Sequence, residues 1–187
     1  MARTLIRFQE FYENPKYRGK VFSFKEIEAW WRKKGGGRMT YYSDWSGFNF
    51  PSWVLEVFGE SFKHITRRER SILNLFKRFK HPFYVIAAVE GDEETIDHEL
   101  THAMYEIARP YHIEVNQIIS KHKKKLKPLF RWLRKQGYAN DPLILADEAN
   151  AYLTCDTEYL NDKGVKWPSD VALELWHLRM WYSFFLE

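Results

Sequence analysis

Capping residues and prolines divide the second half of this 187-residue chain into a series of helical segments. Asp92 is a plausible N-cap for the first helix, and Arg109-Pro110 interrupts the pattern at its end. Gly137 is expected to end a later helix, and Asp141-Pro142 to begin the next one. The predicted helices span residues 93–108, 111–125, 128–136, 142–156 and 170–185. This half of the chain is therefore restricted to helices packed on helices.

The first ninety residues show a mixed pattern. Ser23 and Thr66 are each followed three residues later by Glu, which predicts a capping box at the start of a helix. Gly35-Gly36-Gly37 is expected to end the first of these helices, and His81-Pro82 the second. The segment 38–51, RMTYYSDWSGFNFP, alternates aromatic and turn residues and is predicted to be a strand followed by a loop.

One short apolar run is the best strand candidate. Residues 83–89, FYVIAAV, lie between Pro82 and Gly91. Aromatic residues make up 18% of the chain, so it can bury a core, and wholesale disorder is excluded. The sequence predicts an α+β fold, with a small mixed sheet in the N-terminal half and helices dominating the C-terminal half.

The helix after this strand contains His98-Glu99-Leu100-Thr101-His102. In this H-E-x-x-H pattern the two histidines lie on one face of the helix, so both imidazoles can reach one metal ion. Glu99 lies about 100° further around the helix, beside the metal, where it can accept a proton from an activated water. The simpler alternative is a surface helix on which the two histidines merely stack.

The rest of this helix is amphipathic. We expect its apolar stripe to dock the helix on the core and its motif face to line a cleft. The stripe consists of Ile96, Leu100, Ala103, Met104 and Ile107. The motif face consists of Thr95, His98, Glu99, His102 and Glu106.

A catalytic metal site needs a third protein ligand. The single cysteine, Cys155, excludes a thiolate cluster, so the ligands must be histidine and carboxylate. Glu148 is the preferred candidate because it faces inward on the predicted helix 142–156, beside small and aromatic residues. Asp147 is its competitor, and a capping or ion-pairing role for Glu148 is the alternative. Less well placed acids are Glu106, Glu114, Asp156 and Glu174.

His98-Glu99-x-x-His102 on a helix after a strand, with Glu148 on a later helix, resembles the zincin metallopeptidases of the gluzincin type. The resemblance covers about residues 83–155 and implies a zincin-like fold. It also implies Zn²⁺ held by His98, His102 and Glu148, with Glu99 as the general base. Unlike thermolysin-like enzymes, the chain has 45 residues between His102 and Glu148.

The same resemblance implies further roles. A Tyr or His should stabilise the oxyanion, and the candidates are Tyr152 and His177, although a buried structural histidine is the alternative for His177. Residues 84–89 would form a strand that pairs with an extended peptide substrate. We expect one domain over residues 1–187. Its parts are an N-terminal elaboration (1–82), a metal-site core (83–155) and a C-terminal helical segment (156–187).

Two basic segments support a different function. Residues 63–80 contain seven Lys or Arg residues and His64, and residues 121–135 contain eight Lys or Arg residues; both are interleaved with aromatics such as Phe79, Phe130 and Trp132. The simpler interpretation of such charge runs is a solvated helix face. Nucleic-acid or acidic-partner binding, with a structural or vestigial metal site, is the alternative to a peptidase. No apolar run is long enough for a membrane span, and no secretory signal is visible, so we expect a cytoplasmic protein.

Overall fold

The computed structural model describes residues 1–80 and 82–184, and for Asp44 only the backbone. The chain divides into two compact units, Met1–Asp92 and Glu93–Glu187, and each is described by itself. The boundary lies inside the predicted metal-site core 83–155, and the single domain over residues 1–187 stays a prediction. The coarse α+β assignment is confirmed, since both units are mainly helical and the first contains a small sheet.

The first unit combines five helices with two strands in its described residues. The strands pair antiparallel, with Phe48 opposite Ala87 and Phe50 opposite Val85. The prediction of a mixed sheet is wrong for this part of the chain, because its only two strands run in opposite directions. The elements are α1 (Ala2–Glu13), α2 (Phe24–Lys34), α3 (Tyr41–Asp44), β1 (Gly47–Pro51), α4 (Trp53–Ser61), α5 (Arg67–Phe76) and β2 (Tyr84–Ala88).

Local signals placed several of these elements correctly. Ser23 and Thr66 form complete capping boxes with Glu26 and Glu69 at the starts of α2 and α5. The predicted break at His81-Pro82 falls partly on His81, which lies outside the described residues. In segment 38–51 the predicted order is wrong: the short helix α3 comes first and the strand β1 follows.

Aromatic rings fill the core of the first unit. Phe8 of α1 stacks on Phe50 of β1 at a centroid distance of 5.3 Å and packs on Phe58 of α4 at 4.2 Å. Beside these rings, the buried guanidinium of Arg7 makes a two-pronged ion pair with Glu69, at 2.7 and 2.6 Å. The high aromatic content of the sequence is therefore used largely for packing within residues 1–92.

A buried carboxyl in α1 predicts a measurable pH dependence of stability. Burial raises the pKa of Glu10 to about 7 despite hydrogen bonds from Asn14 and Tyr41. The folded state therefore binds a proton more tightly than the unfolded state, and stability falls as pH rises from about 4.5 to 7. Glu10→Gln should remove this pH-dependent part of the free energy of unfolding, which amounts to about 3 kcal/mol. Urea unfolding of the wild type and the Glu10→Gln variant at pH 5 and pH 8 measures this difference. If the free energy of unfolding changed equally with pH in both proteins, the expectation would be contradicted.

The second unit contains six helices and no strand in its described residues. The central helix α9 packs against all five others and is buried around most of its circumference. Asp141 caps α9 by accepting a hydrogen bond from the backbone N–H of Leu143, and Gly137 ends α8 with a φ of 122°. The helices are α6 (Glu93–Ile107), α7 (Arg109–Lys121), α8 (Lys127–Gln136), α9 (Pro142–Cys155), α10 (Thr157–Asp162) and α11 (Ser169–Ser183).

The sequence prediction located five of these six helices to within a few residues and missed the short α10. Residue 185, the predicted end of the last helix, lies outside the described residues. Within the described part of the chain, no helix has the length and apolar content needed to cross a bilayer.

Candidate metal centre

Helix α6 buries the face that contains the histidine motif. Glu99, Thr101, His102 and Tyr105 are buried, whereas Leu100 and Ile107 are 45% and 50% exposed. The expectation that the apolar stripe would dock α6, with the motif face open to a cleft, is therefore wrong. The reason is that α9 packs against this face of α6, and its acidic residues contact the imidazole of His102.

Three side chains from α6 and α9 converge on one point. The Nε2 atoms of His98 and His102 lie 3.1 Å apart. Oε1 of Glu148 lies 3.9 Å from Nε2 of His102. One ligand atom from each of these three residues lies within 4.8 Å of the other two, so the group can hold a metal ion.

Carboxylates hold the outer nitrogens of both imidazoles. Nδ1 of His98 hydrogen-bonds to Asp156, and Nδ1 of His102 lies 2.8 Å from Oδ1 of Asp147. Contacts of this kind fix the orientation of a metal-binding histidine and leave its Nε2 free for the metal. The geometry thus gives different positions to the two competing acids, with Glu148 at the Nε2 side and Asp147 behind His102.

Burial and charge at this point favour a bound cation. Glu148 and His102 are only 3% and 2% exposed, and Oε2 of Glu148 is buried without a hydrogen-bond partner. Burial raises the pKa of Glu148 above its usual value. Burial alone would lower the pKa of His102, but Asp147 and Glu148 outweigh it and raise that pKa well above its usual value. A metal ion would satisfy the buried carboxylate directly.

Glu99 and Tyr152 both lie near the cluster. The buried Glu99 is close enough for its charge to raise the pKa of both His102 and Glu148. The ring of Tyr152 lies 5.0 Å from the ring of His98, edge to face. Burial and the charge of Glu148 raise the pKa of Tyr152, so its hydroxyl stays protonated and can donate a hydrogen bond.

Among the described residues, no contact brings His177 to the cluster. It is exposed on α11, its ring lies 5.3 Å from that of Trp176, and it lines an open groove between α7 and α11. Its exposure also contradicts the alternative of a buried structural histidine. An oxyanion role for His177 stays a prediction without a supporting contact.

The sequence did not predict the contacts that hold α6 in place. Arg179 of α11 donates through Nη1 to Oδ2 of Asp97 at 2.9 Å, one residue before His98. Asp156, which directly follows α9, is only a less well placed ligand candidate by its sequence position, but it hydrogen-bonds to Nδ1 of His98. Its position at the C-cap of α9 is a sequence signal, but its partner lies 58 residues away along the chain.

The basic segments have partners of their own. Lys121 pairs with Glu174 at 2.9 Å and Lys125 with Asp170 at 2.5 Å. Trp132 packs edge to face on Tyr152 at 5.1 Å. Two of the lysines expected to contact nucleic acid thus form ion pairs within the second unit, and one of the aromatic rings packs there. Nucleic-acid binding stays a prediction.

Comparison with protein-family models, with curated proteins and with solved structures gave no match for this chain.

Proposed function

We propose that the chain is a zinc-dependent peptidase whose metal ion is held by His98, His102 and Glu148. The observation that supports this most directly is the convergence of two Nε2 atoms, 3.1 Å apart, on a buried carboxylate. Two nitrogen ligands of a tetrahedral zinc ion, each about 2.0–2.1 Å from it, lie about 3.3 Å from one another. Two imidazoles, one carboxylate and an open position are the donor set of catalytic rather than structural zinc.

The protein groups around the metal have distinct tasks in this proposal. When bound, zinc supplies Lewis acidity, which makes a water nucleophilic near neutral pH and polarises a carbonyl. Glu99 accepts the proton of that water on its carboxylate and delivers it to the leaving amine. The protonated hydroxyl of Tyr152 donates to the carbonyl oxygen as negative charge develops there.

The unequal burial of the side chains around the centre supports hydrolysis over a closed structural site. The side chains of His98 and Asp156 are 15% and 21% exposed, whereas those of His102 and Glu148 are 2% and 4% exposed. The His98 side is therefore the less buried side of the cluster, and Tyr152 lies there as well. Substrate binding by strand addition stays a prediction, since the only two strands of the described chain belong to the first unit.

The test combines metal analysis with a peptidase assay. Purified protein should contain close to one zinc per chain by plasma mass spectrometry, and His102→Ala should contain almost none. Hydrolysis of a fluorogenic casein substrate should stop with 1,10-phenanthroline and return on addition of zinc. A full zinc content without hydrolysis of any tested peptide would refute the catalytic role. Absence of zinc from the wild-type protein would refute the metal site itself.

The nucleic-acid alternative makes a separate prediction. If the basic segments bind single-stranded DNA or RNA, gel retardation should appear at low salt and weaken steeply as salt is added. His102→Ala would leave that retardation unchanged, so the two functions can be separated with one variant.

A further inference from the structure

The ring of Tyr152 is held in place by other rings of the second unit. Trp132 of α8 and His98 of α6 meet it edge to face, at centroid distances of 5.1 and 5.0 Å. Tyr159 of α10 stacks on it at 6.2 Å. A ring packed between other rings has few alternative orientations. The packing therefore fixes where the hydroxyl oxygen of Tyr152 lies, and the direction of its proton depends on what that oxygen contacts.

A second tyrosine hydroxyl lies next to this oxygen. Oη of Tyr138 is 3.4 Å from Oη of Tyr152. This contact is longer than the usual distance of about 2.8 Å between two hydroxyl oxygens. Hydrogen bonds in a catalytic site are often long without substrate and shorten in the reacting complex. Tyr138 is only 9% exposed, so water competes little for its hydroxyl.

The turn after α8 sets the position of Tyr138. Gly137 ends α8 with a φ of 122°, a backbone conformation that favours glycine. In this turn the backbone N–H of Tyr138 donates to the carbonyl of Leu133 at 3.3 Å. Tyr138 is therefore attached to α8 through its backbone and reaches Tyr152 of α9 through its hydroxyl.

We propose that Tyr138 is a positioning residue that directs the hydroxyl proton of Tyr152 towards the carbonyl oxygen of a peptide substrate; this inference rests on the proposed peptidase function. A tyrosine has one hydroxyl proton. If Tyr152 donates its proton to the substrate, its oxygen can only accept from Tyr138. An O–H group whose oxygen accepts a hydrogen bond is itself a stronger donor, because hydrogen bonds in a chain polarise one another. The effect grows as negative charge develops on the substrate oxygen, so it belongs to the transition state.

A double-mutant cycle of Tyr→Phe variants tests the proposal, since each variant keeps the ring and removes only the hydroxyl. Tyr138→Phe should lower kcat on a fluorogenic peptide by about 3- to 10-fold, the typical effect of one hydrogen bond. KM should stay nearly unchanged, because the lost interaction is made mainly in the transition state. Tyr152→Phe should cost about 10²–10³-fold, as loss of an oxyanion donor does. The double variant should be no slower than Tyr152→Phe, because Tyr138 acts only through that hydroxyl.

A phosphinic peptide gives a readout that does not depend on turnover. Its tetrahedral anionic group resembles the transition state. Tyr138→Phe should therefore weaken its binding, measured by calorimetry, by the same factor by which it lowers kcat/KM. Tyr111→Phe is the matched control, because it removes another buried hydroxyl that bonds to α9, at Asn150 and 3.0 Å. It should leave both kcat and the affinity for the phosphinic peptide within about twofold of the wild type.

Three results would overturn the positioning role while leaving the peptidase proposal intact. The first is a Tyr138→Phe variant with wild-type kcat and wild-type affinity for the phosphinic peptide. The second is a double variant in which the two losses multiply, since the two hydroxyls would then act independently. The third is an equal loss in Tyr111→Phe, which would indicate a general loosening of α9. A wild-type protein that holds zinc and hydrolyses no peptide would instead refute the proposed function, and the role of Tyr138 with it.

Discussion

Glu99→Gln should retain zinc and lose about 10²–10⁴-fold in the rate of peptide hydrolysis. Gln has nearly the same shape as Glu, so the buried position on α6 can still be filled. It cannot accept the proton of the attacking water, because an amide is not a base near neutral pH. The metal ligands lie on either side of Glu99 in the sequence and are not altered, so zinc content should stay near one per chain.

The measurement is kcat/KM on a fluorogenic peptide, with zinc content determined on the same samples. Glu106→Gln is the matched control, since Glu106 lies on the same helix and is exposed. It should change the rate by less than a factor of two or so. If the Glu99→Gln variant hydrolysed peptide at the wild-type rate, Glu99 would not be the general base. If it also lost zinc, its role would be in metal binding instead.

Elements whose signals are local were predictable from the sequence. The capping boxes at Ser23 and Thr66, the stop at Gly137 and the Asp141-Pro142 helix start all involve residues within a few positions of each other. The side-chain oxygens of Ser23, Thr66 and Asp141 receive backbone N–H groups that have no partner inside the helix. Such contacts form largely regardless of the rest of the chain.

Which face of a helix is buried was not predictable in the same way. The apolar stripe of α6 indicated that Leu100 and Ile107 would be buried, yet the histidine face is buried instead. The deciding contacts are those of His98 with Asp156 and of His102 with Asp147, which join α6 to α9 and its C-cap residue. Periodicity within one helix contains no information about an acidic partner on another.

The candidate site was predictable in its residue types and less so in their positions. The H-E-x-x-H spacing placed His98 and His102 on one face of α6, and their nitrogens do converge. Glu148 and Asp147 are adjacent in the sequence and differ by only about 100° in direction around the helix axis. In the structure both acids are buried, so burial does not distinguish them. Only the three-dimensional arrangement shows that the carboxylate of Glu148 lies near Nε2 of His102 and that of Asp147 near Nδ1.

Replacing these two acids in turn should separate a metal ligand from a residue that orients one. Glu148→Gln removes the charged oxygen that lies on the Nε2 side of His102, so zinc affinity should fall by more than about 100-fold. Asp147→Asn keeps a side-chain oxygen beside Nδ1 of His102 and removes only the charge. The loss should be about 10- to 100-fold, as is typical of outer carboxylates. Competition with a fluorescent zinc chelator at pH 7.5 gives both affinities on one scale.

Cobalt substitution adds a readout that a purely structural effect would not change. Visible absorption of bound Co²⁺ reports the number and type of its ligands, so Asp147→Asn should leave the spectrum close to that of the wild type. Glu148→Gln should alter its intensity and band positions, because one oxygen ligand is lost or replaced. Circular dichroism and thermal unfolding of both variants establish that the helices are intact. A larger loss of affinity and an altered spectrum in Asp147→Asn, with Glu148→Gln close to wild type, would make Asp147 the ligand.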